Sequence, residues 1–283
     1  MLRRVISIDL GGTNIRAAII NEKLRIEKVI KSSTEKLNFD ILFHQVINLI
    51  DSLMQSKYPI DAICFGVAGR VRLDGYINEL PNLHMSDIPL ANMIATKYGL
   101  PVFVINDAHA AGLAEATAGA GKHYHRSYFI TISTGFGGAM FVDKKFVVTS
   151  DEVGHTLFNY KGHYYELEHL VSGTGIKKLC ELNGLKITSS KELFEGVKES
   201  KVDFIRVYED WLKLLSEAFQ FIAKTFEVDV FNITGGVMKS QDTWFKTFKA
   251  RNKNLKIVTC HFKEDAGLIG GAVYAFNNTH AKK

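Results

Sequence analysis

The chain is poor in the residues that staple, interrupt or anchor a fold. Only three cysteines occur in 283 residues, Cys64, Cys180 and Cys260. They are odd in number and far apart, which argues against a disulfide framework and for reduced thiols. Four prolines and no Gly/Ser-rich stretch leave nothing that reads as a linker, so two closely packed lobes are expected rather than tethered domains. No apolar run is long enough to span a bilayer, and Asp9 interrupts the first apolar segment too early for a secretory signal. A cytoplasmic protein with no membrane partner is expected. Neither sign of charge dominates: 35 basic and 30 acidic residues leave +5, mixed along the chain, a balance too mild to imply a nucleic-acid partner.

What is present is an ordinary globular composition, 46% hydrophobic and 23% charged, with enough length for two domains or one large α/β unit. Strands and helices alternate. Val5–Asp9, Ile15–Ile20 and Arg25–Lys31 read as strands, and Phe39–Met54 as an amphipathic helix with Phe39, Leu42, Phe43, Val46, Ile47, Ile50 and Leu53 at helical spacing. Ala62–Val67 is a buried strand, Gly75–Met85 a loop, and Leu90–Lys97 a helix. Pro101–Ile105 is a strand that runs into an alanine-rich helix, Ala108–Ala118. Beyond Arg126, Phe129–Ser133 and Ala139–Val142 are strands. Helices are predicted at Gly175–Leu182, Lys191–Lys198, Val202–Phe226, Trp244–Ala250 and Ala266–Phe276. Further strands are predicted at Val228–Ile233 and Lys256–Cys260. This alternation argues for α/β architecture.

The chemistry is concentrated where strands end. Asp9-Leu10-Gly11-Gly12-Thr13-Asn14 joins two strands by a tight turn, whose glycines and exposed N–H groups suit phosphate oxygens. Asp9, delivered by a buried strand, is suited to Mg2+ or its water shell; the alternative is an ordinary hairpin turn. Asn106-Asp107 closes another strand at a helix start, where open α/β sheets bind ligands. Taken alone, Asp107 reads there as a helix N-cap, a role compatible with ligand binding. Thr134-Gly135-Phe136-Gly137-Gly138 repeats the first plan of strand, Gly-rich turn and strand. It fits neither a dinucleotide fingerprint nor a Walker A loop. Thr234-Gly235-Gly236 closes a further strand. Between Asp151 and Leu170 lies a polar segment with Glu152, His155, His163, Glu166, Glu168 and His169, in which His155 also reads as a structural histidine.

Taken in order, Asp9-Leu-Gly-Gly-Thr-Asn-Ile-Arg16, Asn106-Asp107, Ser133-Thr-Gly-Phe-Gly-Gly138, Glu152-Val-Gly-His155, Glu168-x-x-x-Ser172-Gly173, Thr234-Gly-Gly236 and Ala266-Gly-Leu-Ile-Gly-Gly271 resemble the ROK family of sugar kinases and sugar-sensing repressors. The resemblance implies an α/β, two-lobed, actin-like (ribonuclease-H-like) ATPase fold. Its N-terminal lobe would be 1–107 with part of 266–283, and its C-terminal lobe 108–265, with ATP and sugar in the cleft between them. It implies phosphate contacts from Gly11, Gly12, Thr13, Asn14, Thr134, Gly135 and Gly137, and adenosine contacts from Gly235 and Gly236. It implies Mg2+ near Asp9, held through water, and Asp107 as general base. Sugar contacts would come from Asn106, Glu152, His155 and Glu168, with Asn82 and Gly69 as lesser candidates. The implied reaction moves the γ-phosphoryl of ATP to the 6-hydroxyl of a hexose or N-acylhexosamine, glucose or N-acetylmannosamine leading, in a homodimer whose lobes close on the sugar.

Three alternatives stand beside this reading: a sugar-sensing regulator, a non-catalytic sugar-binding protein, and an actin- or chaperone-type ATPase, against which the polar cluster of Glu152, His155 and Glu168 argues. Against the regulator, the first hairpin begins at residue 5 and leaves no room before it for a helix-turn-helix domain. The family usually has a structural zinc held by a histidine and a C-x-C-x4-C loop, whereas no cysteine lies between His155 and Glu168. No structural zinc is therefore expected, and Phe158, Tyr160, Tyr164, Tyr165 and Leu167 are expected to pack in its place.

Overall fold

The computed structural model describes residues 2–56, 58–147 and 153–279. It divides into two units, residues through Thr117 together with those from Phe262 onward, and Ala118–His261.

The first unit opens with an antiparallel meander of β1 (Arg4–Leu10), β2 (Asn14–Asn21) and β3 (Ile26–Ser33). Helix α1 (Phe39–Met54) starts where the Asn38 side chain accepts the Ile41 N–H at 2.9 Å, a cap that replaces one missing intrahelical partner. Its buried stripe is Leu42, Val46, Ile47, Leu49, Ile50 and Leu53, the spacing of one helical face. Strand β4 (Ala62–Val67) is buried throughout and pairs parallel to β1. Then come β5 (Arg70–Val71), β6 (Ile77–Leu80) and β7 (Met85–Ile88), a small antiparallel sheet. This corrects the loop expected over Gly75–Met85. The strands are only two to four residues long, too short for an alternating pattern to register. Helix α2 (Leu90–Tyr98), strand β8 (Val102–Asn106) and helix α3 (Asp107–Thr117) follow. The main sheet has the order β3-β2-β1-β4-β8.

The second unit repeats that plan. β9 (Arg126–Ile132), β10 (Phe136–Val142) and β11 (Lys145–Val147) form the meander. A hairpin of β12 (Leu157–Tyr160) and β13 (His163–Glu166) follows. Next are helices α4 (Glu168–Val171), α5 (Gly173–Leu182), α6 (Ser190–Lys198) and α7 (Val202–Phe226). β14 (Val230–Thr234), α8 (Gln241–Arg251) and β15 (Ile257–Thr259) complete it. The sheet order β11-β10-β9-β14-β15 mirrors that of the first unit, with β9, β14 and β15 parallel. The core is aromatic. Trp211 of α7 meets Trp244 of α8 edge-on at 5.1 Å, and Phe219 meets Phe248 at 4.9 Å; each such side chain stabilises by about 1.5–3 kcal/mol through burial.

Helix α9 (Ala266–Asn278) returns to the first unit. A Cβ on Gly270 would lie 1.7 Å from the Ala110 carbonyl oxygen, and one on Gly271 would lie 2.5 Å from Ser7 Oγ. Only glycine therefore lets α9 meet α3 backbone to backbone. The Phe262 N–H also donates to the buried Glu115 carboxylate of α3 at 2.8 Å. These contacts hold α3 in the first unit, so the division falls at Thr117 rather than at Asp107, and the chain crosses back at Phe262 rather than at Ala266. No helix among the described residues is long and apolar enough to cross a membrane.

Candidate functional site

In the first unit the carboxyl ends of the parallel strands β1 and β8 deliver two acids, with β4 between them. Asp9 pairs across the sheet with Gly66, and Gly66 with Ile105. A Cβ at Gly66 would stand 4.0 Å from Asp107 Cα, so glycine leaves this level of the sheet without a side chain between the acids. Burial raises the Asp9 carboxyl to about 6, with the Asp107 charge adding to the shift and Arg16 opposing it. Asp107 is also raised by burial and held down by backbone N–H donors at the start of α3; its own Oδ1 accepts the Ala108 N–H at 2.9 Å. A raised carboxylate is a stronger base.

Asn106 takes the capping position. Its Oδ1 accepts from the Ala108 and His109 N–H groups at 2.9 and 3.1 Å, and its Nδ2 donates to the Gly69 carbonyl at 3.1 Å. Asn106 and Gly69, both sugar candidates from sequence, thus brace the Asp107 segment. With Asn106 taking two of the helix-start N–H groups, Asp107 shares only the Ala108 N–H, through Oδ1.

The Gly11–Asn14 turn is tied down from one side. Gly11 N–H donates to the Asn14 carbonyl at 3.0 Å, Thr34 N–H to Thr13 O at 3.0 Å, and Thr34 Oγ1 to Gly11 O at 2.7 Å. Among the described residues the Gly12 and Thr13 N–H groups carry no such bond, which suits an anion. A Cβ on Gly12 would lie 2.6 Å from Asn82 Cβ, so Asn82 sits beside this turn. Two residues with no role from sequence belong here. Gly267, at the start of α9, faces Asp9: an added Cβ would lie 3.0 Å from its carboxylate. Arg16, the cross-strand partner of Asp9, hydrogen-bonds Asp265 and the Glu264 carbonyl. Both lie inside strings that sequence had marked, Arg16 ending one and Gly267 second in the other.

In the second unit three turns converge. The β9–β10 connection is Ser133–Gly135, shorter than expected from sequence. Gly137, a phosphate candidate, lies within β10 opposite Thr131. Ser133 O accepts the Gly173 N–H at 2.7 Å, Thr134 O accepts the Thr174 hydroxyl at 2.5 Å, and Ser133 Oγ accepts the Gly236 N–H at 3.0 Å. Gly235 has φ +110°, and an added Cβ would lie 2.3 Å from the Ile132 carbonyl, so the turn after β14 requires glycine. Glu168 reaches the same place: a Cβ on Gly135 would lie 2.9 Å from its Oε2. His155 Nδ1 lies 3.1 Å from Glu166 Oε2. Since a carboxylate only accepts, Nδ1 carries the proton of that bond. Glu152 lies outside the described residues. Of the expected packing residues, Leu167 and Tyr160 are buried, whereas Tyr164 is 71% exposed and does not pack.

A sequence model of the ROK family matches residues 5–277. The chain is 26% identical to a glucokinase of Halalkalibacterium halodurans, covering 95% of this chain and 94% of that protein. It is 24% identical to an N-acetyl-D-glucosamine kinase of Haemophilus influenzae, covering 81% and 83%. Among solved structures, a ROK hexokinase from Thermus thermophilus superposes with a TM-score of 0.84 at 22% identity, covering 97% of this chain and 98% of that one. A ROK glucokinase from Streptomyces griseus in complex with glucose and AMPPNP gives 0.74 at 22%, covering 97% and 100%. A ROK family transcriptional regulator gives 0.79 at 19%, covering 95% and 76%. The fold is the actin-like ATPase fold of these hexokinases.

Proposed function

The chain belongs to the ROK family, and from that premise we propose that it is an ATP-dependent sugar kinase. It transfers the γ-phosphoryl of ATP to the 6-hydroxyl of a hexose or N-acylhexosamine, with glucose and N-acetylmannosamine the leading substrates. The observation that carries this reading is the pair of raised carboxyls, Asp9 and Asp107, at the ends of β1 and β8 beside the Gly11–Asn14 turn. A sugar hydroxyl is a weak nucleophile and needs a base within reach. Asp107 accepts its proton as the sugar oxygen bonds to the γ-phosphorus and the bond to the departing ADP oxygen breaks.

Two carboxylates that repel one another fit a divalent cation. Asp9 would hold Mg2+, directly or through water, and the ion supplies charge neutralisation to the phosphates when bound. Gly12 and Thr13 offer N–H donors to phosphate oxygens, and the Ser133–Gly135 and Gly235–Gly236 turns serve the rest of the nucleotide. His155, Glu166 and Glu168 line the polar face of the second unit, where His155 and Glu168 hold sugar hydroxyls. A polar partner covered by the sugar and left without its hydrogen bond costs about 1–3 kcal/mol, which is how the site rejects a wrong sugar.

The regulator in this fold family is the rival reading. Coupled ADP release, measured with ATP and Mg2+ against hexoses and N-acetylhexosamines, separates the two. Sugar-dependent turnover supports the kinase. A sugar that raises the melting temperature without turnover supports a sensor.

A further inference from the structure

The zinc usual in this family does not fit the residues found here. Structural zinc takes four closed nitrogen or sulfur ligands. Among the described residues, the group of potential ligands that comes together is His155, Glu166 and Glu168, with ligand atoms within 4.8 Å of one another. It contains one imidazole, two carboxylates and no thiolate. The His155 and Glu166 side chains are 52% and 37% exposed, and the three cysteines are buried. Such a set is neither closed nor made of the four nitrogen or sulfur ligands of a structural zinc site.

We propose that Glu166 replaces the metal as the brace of His155, and that the β12–β13 hairpin supplies the rigidity the metal would have given. The hairpin register sets Glu166 opposite Leu157, two residues beyond His155. The Leu167 N–H closes the hairpin base on the Thr156 carbonyl at 2.8 Å, with the Leu167 side chain fully buried. The far end is pinned through Tyr160, whose hydroxyl donates to Asp210 at 2.6 Å and accepts from Asn183 at 2.7 Å. Phe158 packs edge-on against Phe221 at 6.0 Å. Glu166 is thereby held to accept the Nδ1 proton of His155 at 3.1 Å. A neutral imidazole so engaged carries its lone pair on Nε2 and has a fixed ring plane. Glu166 is a positioning residue, and its effect on the sugar rests on the reading of His155 given above.

The test uses the full-length protein purified without chelator. Elemental analysis is expected to find zinc far below one per chain, and dialysis against EDTA to leave the melting temperature unchanged. Imidazole 15N NMR, assigned with His155→Asn, is expected to show His155 protonated on Nδ1 in the wild type and in Glu166→Gln, whose amide oxygen still accepts. Glu166→Ala is expected to release that tautomer. Sugar KM should rise about 10–100-fold in Glu166→Ala, the scale for losing a group that orients a histidine, with kcat little changed and with recovery in Glu166→Gln. Stoichiometric zinc whose removal lowers the melting temperature would overturn the proposal. So would an Nε2-protonated His155 in the wild type, which needs no variant to fold. Metal content and tautomer are read without turnover, so an inactive protein would count against the kinase reading and leave these two results standing.

Discussion

Replacing Asp9 by asparagine should stabilise the protein while abolishing its activity. The raised Asp9 carboxyl is the reason. Its ordinary value of 3.8 moves to about 6, because burial and the Asp107 charge disfavour the anion. Between these values the native chain binds more protons than the unfolded chain, so stability falls as pH rises. The penalty is absent below pH 3.8 and fully developed above about 6. A shift of this size, with the opposing effect of Arg16 already included, corresponds to at most about 3 kcal/mol, and partial exposure reduces what is realised. Asparagine keeps the shape and removes the charge. Urea unfolding in EDTA across pH 5–8 should show the two proteins converging toward acid and the variant pulling ahead by about 1–3 kcal/mol at pH 7.5. Mg2+ with ATP should raise the melting temperature of the wild type and leave the variant unmoved. Equal stabilities at pH 7.5, or a variant that is weaker there, would refute the carboxylate repulsion on which the metal assignment rests.

Asp107→Asn is expected to lower kcat by about 10²–10⁴-fold, the scale of a lost general base, with sugar affinity by calorimetry nearly unchanged. Asn106→Ala removes the α3 cap and the bond to Gly69; chemical denaturation should report a loss of about 0.5–2 kcal/mol, whereas a pure sugar ligand would leave the apo protein's stability intact. Gly135→Ala meets the flexible end of Glu168, 2.9 Å from the new carbon. It should raise sugar KM about tenfold or more through a displaced charged hydrogen bond, without lowering the melting temperature. Trp211→Ala empties the centre of the second unit, where the indole is fully buried and donates to the Val171 carbonyl at 3.0 Å; unfolding should cost about 3–5 kcal/mol less than in the wild type.

Elements with a long hydrophobic period were legible. The Phe39–Met54 and Val202–Phe226 helices coincide with their sequence ranges, because a broad apolar stripe over four or more turns has few alternatives. The Gly-rich turns were legible because glycine after a strand has a narrow set of uses. The β5–β7 sheet was not, since its stability comes from cross-strand partners rather than from its own pattern. Gly137 was assigned to a turn although the ladder with Thr131 continues through it; glycine content alone does not say where a hairpin closes. The role of Asn106 was hidden because capping and sugar binding ask for the same amide. Gly267 facing Asp9 and Glu166 facing His155 were beyond reach, because both depend on tertiary approach between segments that sequence cannot align in space.

The central claim is phosphoryl transfer to a sugar hydroxyl with Asp107 as base. 31P NMR of the wild type and Asp107→Asn, each with ATP, Mg2+ and the sugar that stimulates ADP release, tests it most directly. A sugar 6-phosphate resonance should grow with the wild type and be lost or slowed by at least about a hundredfold in the variant. No phosphate ester from any hexose or N-acetylhexosamine, or equal rates in the two proteins, would contradict it.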